Sequence, residues 1–280
     1  MSNHARVLEL IEAVSREPAP WLAEHRADVL AAVLACDRDG SRALGTRLAA
    51  AVWPVARLVA DPRWWEDLAA AGEALAIAGR DPATLVDLLH GGATTFAEHG
   101  DRLRAEERWV RALAIVRRDG DHDRGQAVLS ALGALYRDWG RLSKALDAYL
   151  GLVDLRQQLG DPAGTADALA EVGATMHAAG RLRSATEYFD RADELMSQVT
   201  APTAHARILV WCGRTRWEQD QHDAARRRWI RALAMLVDVD DEAASYVRAL
   251  LATADPDEDP EFRRWDGVSN TASSRSGGVG

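Results

Sequence analysis

Apolar residues recur three and four positions apart through most of the chain, the spacing of one face of an α-helix, and Gly, Asp and Pro punctuate the runs. Segments 4–17 and 20–37 read as two amphipathic helices separated by Pro18-Ala19-Pro20. Between 121 and 160 the pattern is clearest. There GQAVLSALGALYRDW forms a first helix ending at Gly140, where a left-handed turn is cheap, and RLSKALDAYLGLVDLRQQLG forms a second. Two helices joined by so short a link pack antiparallel, so the pattern predicts a helical hairpin.

The hairpin repeats with a period of 40. Asp81-Pro82, Asp121-His122, Asp161-Pro162 and Ala201-Pro202 open four segments in register. Asp caps free N–H groups of the following helix, and Pro fits the first turn, where its missing N–H is no loss. Inside the units Leu89, Leu129, Leu169 and Leu209 form one column, and Ala93, Gly133, Gly173 and Gly213 the next. Ala105, Ala145, Ala185 and Ala225 are followed by Trp109, Tyr149, Phe189 and Trp229. Small positions on one helix face a large side chain on its partner, which lets the two backbones approach. One hairpin cannot bury both faces, so neighbouring units are expected to stack.

The division expected from these patterns is an N-terminal helical cap over 1–40, a divergent repeat over 41–80, four repeats over 81–240, a capping helix over 241–254 and a disordered tail over 255–280. In the divergent repeat Trp53 stands in the small column and Pro54 follows it, so the first helix is expected to kink or end near Trp53. The adjacent Trp64 and Trp65 are expected to place one indole inside and part of the other outside, a minor candidate contact surface. The tail composition, DPDEDPEF then SNTASSRSGGVG, is that of a segment unable to bury a core.

The spacing Leu129, Leu132-Gly133, Tyr136, Ala145, Tyr149, and its counterpart Leu169, Val172-Gly173, Met176, Ala185, Phe189, resembles the tetratricopeptide signature. Ala93, Met176 and Arg216 depart from it, as does a 40-residue instead of a 34-residue period. The resemblance implies an all-α, right-handed superhelical solenoid of antiparallel helix pairs. A wider stretch, about 20–240, with Trp21-Leu22, Leu30-Ala31-Ala32-Val33 and Leu48 to Pro54, is similar to the C-terminal sensor region of actinobacterial antibiotic-regulator and signalling-ATPase proteins. No GxxxxGK[ST] phosphate loop is present and no DNA-binding domain precedes Trp21, so ATP hydrolysis and promoter binding are not carried over.

In such solenoids the first helix of each pair lines the concave groove, which makes Asp87, His90, Thr94, Ser130, Arg137, His177, Arg207, Arg214 and Trp217 the candidate binding residues. The series begins acidic and small and ends basic and aromatic, which suits a protein or peptide partner with an acidic segment. The alternative reading for its arginines is pairing with Glu218 and Asp220.

Composition narrows the function further. A net charge of -9 argues against a phosphate-binding surface spread over the molecule, so no direct nucleic-acid binding is expected. One lysine against many arginines is the bias of a GC-rich bacterial genome. Cys36 and Cys212 lack CxxC spacing and read as reduced, partly buried small hydrophobes. The eight histidines form no metal-ligand spacing, and neither a nucleophile elbow nor a glycine-rich phosphate loop is found. The expectation is therefore a cytoplasmic, non-catalytic scaffold without cofactor or metal, with a ligand- or peptide-gated regulator of transcription or secondary metabolism as the alternative and a biosynthetic accessory or enzyme as a remote one.

Overall fold

A computed structural model describes residues 3–16, 18–56 and 61–252; among them are thirteen α-helices and no strand. The chain divides into two compact units, Met1–Ala148 and Tyr149–Gly280. The first holds α1 (Asn3–Arg16), α2 (Pro18–Arg38), α3 (Arg42–Ala56), α4 (Pro62–Ala78), α5 (Pro82–Glu98), α6 (Arg102–Asp119) and α7 (His122–Asp138). The division falls inside α8 (Leu142–Gln158), and the second unit continues with α9 (Pro162–Ala178), α10 (Leu182–Met196), α11 (Pro202–Trp217), α12 (His222–Leu236) and α13 (Asp241–Ala252). The expected tail over 255–280 lies outside the described residues.

The helices are cut to length by one recurring turn. Left-handed backbone occurs at Gly100 (φ 84°), Gly140 (φ 72°), Gly160 (φ 67°) and Gly180 (φ 70°), and at two residues that are not glycine, Arg80 (φ 53°) and Asp220 (φ 59°). After Gly140 the Arg141 N–H donates back to the Tyr136 carbonyl (2.8 Å), and Gly140 N–H to that of Arg137 (2.9 Å). These are the two bonds that satisfy the last carbonyls of a helix ending on a left-handed residue. The residue after the turn then opens the next helix. Asp61, Asp81, Asp101, Asp121 and Asp161 each accept from the N–H three residues on, at 2.8–3.2 Å.

Within the hairpins the small and large columns meet as the spacing implies. A Cβ at Gly173 would lie 2.9 Å from the Phe189 ring, and one at Gly213 only 2.3 Å from Trp229 Nε1. The Trp229 indole, fully buried, donates to the Val210 carbonyl (3.2 Å). Trp109 makes the same reach in the first unit, ending on His90 Nδ1 (3.1 Å).

The 41–80 segment solves the packing the other way round. Its large residue, Trp53, stands on the first helix, and the large column of its second helix holds the fully buried Ala69. Trp53 lies against the next hairpin's first helix, where a Cβ at Gly91 would sit 2.8 Å from Trp53 Cβ. The glycine is thus displaced into the following repeat. With Trp53 so held, α3 runs on through Pro54 to Ala56, past the position where the sequence suggests its end.

Trp64 and Trp65 correct an expectation, for both are buried, at 5% and 1% exposure. Neighbours stand on both sides of α4. Trp64 Nε1 donates to the Arg26 carbonyl of α2 (2.9 Å), while Trp65 donates to Ala56 (3.0 Å) and meets the Phe96 ring of α5 edge-on. Neither offers a contact surface.

Backbone and packing roles of glycine are separable by mutation. Gly140→Ala should cost about 1–2 kcal/mol, the price of a left-handed alanine. Gly213→Ala should cost at least as much, because a buried, hydrogen-bonded ring must move. Asp220→Gly should stabilise by a few tenths to about 1 kcal/mol. Urea-unfolding midpoints of the three variants check all three expectations.

Candidate interaction surface

The nine residues singled out by the sequence fall in both units, and each group has its own local structure. In the first unit Asp87 on α5 is clasped by Arg124 of α7 through two bonds, Nε to Oδ1 (2.7 Å) and Nη2 to Oδ2 (2.9 Å). His90 turns inward to accept the Trp109 indole N–H. Thr94 bonds its own helix, donating to the His90 carbonyl (2.9 Å). Ser130 is exposed and Arg137 half-buried on α7.

Acceptance of an N–H by Nδ1 requires the neutral His90 ring with its proton on Nε2. Burial holds its pKa below the ordinary histidine value, and the nearby Asp87 charge only partly offsets that.

The second unit brings its candidates closer together. On α9 the accessible stripe runs Ala163, Asp167, Glu171, His177; on α11 it runs Thr203, Arg207, Trp211, Arg214, Glu218. The α11 positions, three and four apart, share one helix face, whereas on α9 the nearly buried Ala174 separates Glu171 from His177. Two bridges tie the strips together. Arg207 Nη2 donates to Asp167 Oδ1 (3.1 Å). His177 lies between the Thr215 hydroxyl (3.1 Å, from Nδ1) and Glu218 Oε1 (3.0 Å, from Nε2), and Arg214 Nε lies 3.5 Å from the same carboxylate oxygen.

Trp211 lines these bridges, whereas Trp217 turns toward α12. Trp211 takes the His177 ring edge-on at 5.6 Å and has the Arg214 guanidinium over it at 5.9 Å. Trp217 stacks on Trp229 (5.5 Å) and meets His222 (4.2 Å). Small side chains, Ala170 and Ala174, lie nearly buried between the bridges on α9.

The electrostatics differ from what a basic groove implies. Arg207 and Arg214 each already face a carboxylate. Burial raises the Asp167 pKa, and Arg207 and Arg156 only partly counter it. For Glu218 burial also pulls upward, but the His177 hydrogen bond and charge and the Arg214 charge outweigh it, leaving the carboxyl below its usual range. A partner's carboxylate would have to displace one already in place. Asp220, the other expected partner of the arginines, instead lies 4.0 Å from His222.

Sequence reasoning named Glu218 as a partner for the arginines, which Arg214 bears out, but it missed Trp211 in this surface and the ion cluster on α10–α12. Asp193 of α10 bonds His205 (2.6 Å), Arg231 (2.9 Å) and Arg228, while Asp190 bonds Arg216 (2.6 Å) and Arg228 (2.9 Å). Burial raises Asp193, but His205 and the two arginines outweigh it and lower its pKa. The Cys212 thiol beside this cluster is pushed up to about 11, mainly by burial, and stays protonated at neutral pH. A signal existed: acid and base stand 38 residues apart on successive second helices. Glu66–Arg104 (2.5 Å), Glu73–Arg111 (2.8 Å) and Glu106–Lys144 (2.7 Å) repeat it in the first unit, as Asp190–Arg228 and Asp193–Arg231 do in the second.

Comparison with known proteins places the fold. No family model and no curated protein matches the chain. Among solved structures it is similar to BtubC (BKLC) from P. vanneervenii, with 17% identity, TM-score 0.61, and coverage of 89% of this chain and 94% of that one. It is also similar to aspartyl phosphate phosphatase F from Bacillus subtilis, with 13% identity, TM-score 0.62, and coverage of 96% and 70%. A third likeness is a signal transduction ATPase with numerous domains and a tetratricopeptide repeat sensor from Pyrococcus horikoshii, with 13% identity and TM-score 0.53; the match covers 89% of this chain and 42% of that protein. The all-α helical-repeat fold is that of tetratricopeptide proteins.

The His90 geometry sets a pH dependence. A histidine kept neutral when folded but free to protonate when unfolded makes the unfolded chain bind more protons, so stability falls as pH drops below about 6.5. His90→Gln retains an acceptor for Trp109 without the titration. Its loss of unfolding free energy between pH 7.5 and 5.5 should be smaller than that of the wild type, measured by urea unfolding at each pH.

Proposed function

We propose, from the tetratricopeptide-repeat fold of the chain, that it is a non-catalytic scaffold that holds a protein or peptide segment along the α9–α11 face of its second unit. The observation that carries this reading is the pair of half-buried strips, cross-linked at Asp167–Arg207 and at His177–Glu218–Arg214 and furnished with Trp211, with the half-buried Trp217 at the α12 edge of α11. Rigid charged groups and aromatic faces held at fixed spacing on neighbouring helices are the elements of a pre-organised recognition surface. The near-balance of its charges favours a segment carrying both signs over a purely acidic one. A carboxylate on the partner gains Arg207 or Arg214 only by competing with Asp167 or Glu218, whereas a partner cation can share the same carboxylates. A regulatory role in the bacterial cytoplasm follows from the composition and from the likeness to sensor regions.

Replacing Arg214 and Trp217 together with Ala should reduce recovery of the partner in pull-downs from the native host at least tenfold, with helicity by circular dichroism unchanged. The control pair Arg183→Ala and Arg191→Ala, on exposed positions of α10, should leave recovery intact. Equal recovery by all three proteins would move the site off this face.

A further inference from the structure

The C-terminal end of the second unit presents a helix face that mixes basic and exposed aliphatic side chains. The side of α12 that holds Ala225, Trp229, Ala232 and Leu236 is fully buried, and Arg228 and Arg231 reach back to the carboxylates of α10. The remaining side carries Arg226, Arg227, Ile230, Ala234 and Val237, spaced as one helical stripe. Ile230 is 58% exposed and Val237 41%, and Val239 in the following turn 57%. Among the described residues neither Arg226 nor Arg227 has a carboxylate partner; Arg226 only overlies the Trp217 ring at 5.8 Å. The column that holds Glu66 and Glu106 earlier in the chain holds Arg226 here. An acid-to-base ladder that reached α12 would have nothing to offer a further base, but much to offer an acid.

The path of the chain supplies one. A four-residue link, 237–240, joins α12 to α13, and Ala243, Ala244, Tyr246, Val247 and Leu250 pack into one core with Trp229, Ala232 and Leu236. So short a link makes α13 run back along α12. Twelve residues of helix at about 1.5 Å each bring Ala252 level with the first turns of α12, where Arg226 and Arg227 stand. Three residues later the sequence is Asp255-Pro256-Asp257-Glu258-Asp259-Pro260-Glu261, with Phe262 and Trp265 close behind. An extended chain gains about 3.3–3.6 Å per residue, enough to run the length of α12.

We propose that the acidic segment 255–261 of this chain docks on the exposed stripe of α12, its carboxylates on Arg226 and Arg227, with Phe262 or Trp265 over Ile230 and Val237. The stripe combines unpaired cations with exposed aliphatic side chains, and the segment combines the complementary charge with aromatic ones. Charge supplies the register and apolar contact the hold. The stripe lies on a different helix from the α9–α11 strips and meets them only where Arg226 overlies Trp217, and its test leaves Trp217 unchanged, so this inference stands whether or not those strips bind a partner.

Trypsin reads the contact directly in the full-length protein, because Arg263 and Arg264 follow the acidic segment. Cleavage there should be several-fold slower at low salt than in 0.5 M NaCl, beyond the effect of salt on a peptide spanning 253–268. The double variant Arg226→Glu, Arg227→Glu should cleave at the peptide's rate while its circular dichroism is unchanged. Asp257→Asn, Glu258→Gln and Asp259→Asn in the wild-type background should release the same protection, measured against a peptide carrying the same changes. Equal rates for wild type, double variant and peptide would overturn the proposal. Protection that rises with protein concentration would also overturn it, since the occupant would then be a second copy.

Discussion

One turn governs the architecture: a residue in left-handed backbone followed by a residue that both ends one helix and begins the next. The Asp101 N–H closes α5 on the Phe96 carbonyl (2.9 Å), and its carboxylate caps Arg104 N–H of α6 (3.1 Å). Because the two duties fall on a single residue, neither helix can lengthen or shorten alone without losing its terminal hydrogen bonds. Helix length, and with it the rung spacing, is therefore fixed by the backbone. Side-chain packing then only has to be right once per hairpin. Not every joint uses this turn: residues 237–240 make no left-handed turn, nor do 197–201 after α10, where α11 begins at Pro202 with no side-chain cap from Ala201. There the buried Asp193–His205 contact joins the two helices instead, twelve residues apart in sequence.

Most of the fold was legible because hairpin chemistry is local. The Asp-Pro starts, the Gly stops and the small-against-large columns each mark a single helix or pair, and Gly173 with Phe189 and Gly213 with Trp229 meet as their spacing demands. What was not legible needed a third helix. Trp53 looked like a defect within its own hairpin, yet its glycine stands in the next one at Gly91. Trp64 and Trp65 looked like one core and one surface residue, yet α4 has neighbours on both sides.

The same distinction governs the candidate surface. Choosing positions unused for packing found Asp167's partner Arg207, and found His177 and Arg214, but offered only Glu218 and Asp220 as carboxylates for the arginines. Arg214 meets Glu218 four residues on in its own repeat, but Arg207–Asp167 and His177–Glu218 span adjacent repeats, and a helix-by-helix reading does not see those. His90 was misjudged for the related reason that its partner, Trp109, lies on the other helix of its own hairpin and draws the imidazole inward.

The bridges between successive second helices have a direction. In each of the five pairs spaced by 38, the carboxylate belongs to the earlier helix and the cation to the later one. A hairpin built this way has unlike edges, and it accepts a neighbour in one order only; two identical edges brought together would oppose like charges. Growth or loss of the array by duplication or deletion is thereby restricted to whole multiples of 40 residues. Any other length would misplace both the capping Asp and the rung charges in one stroke.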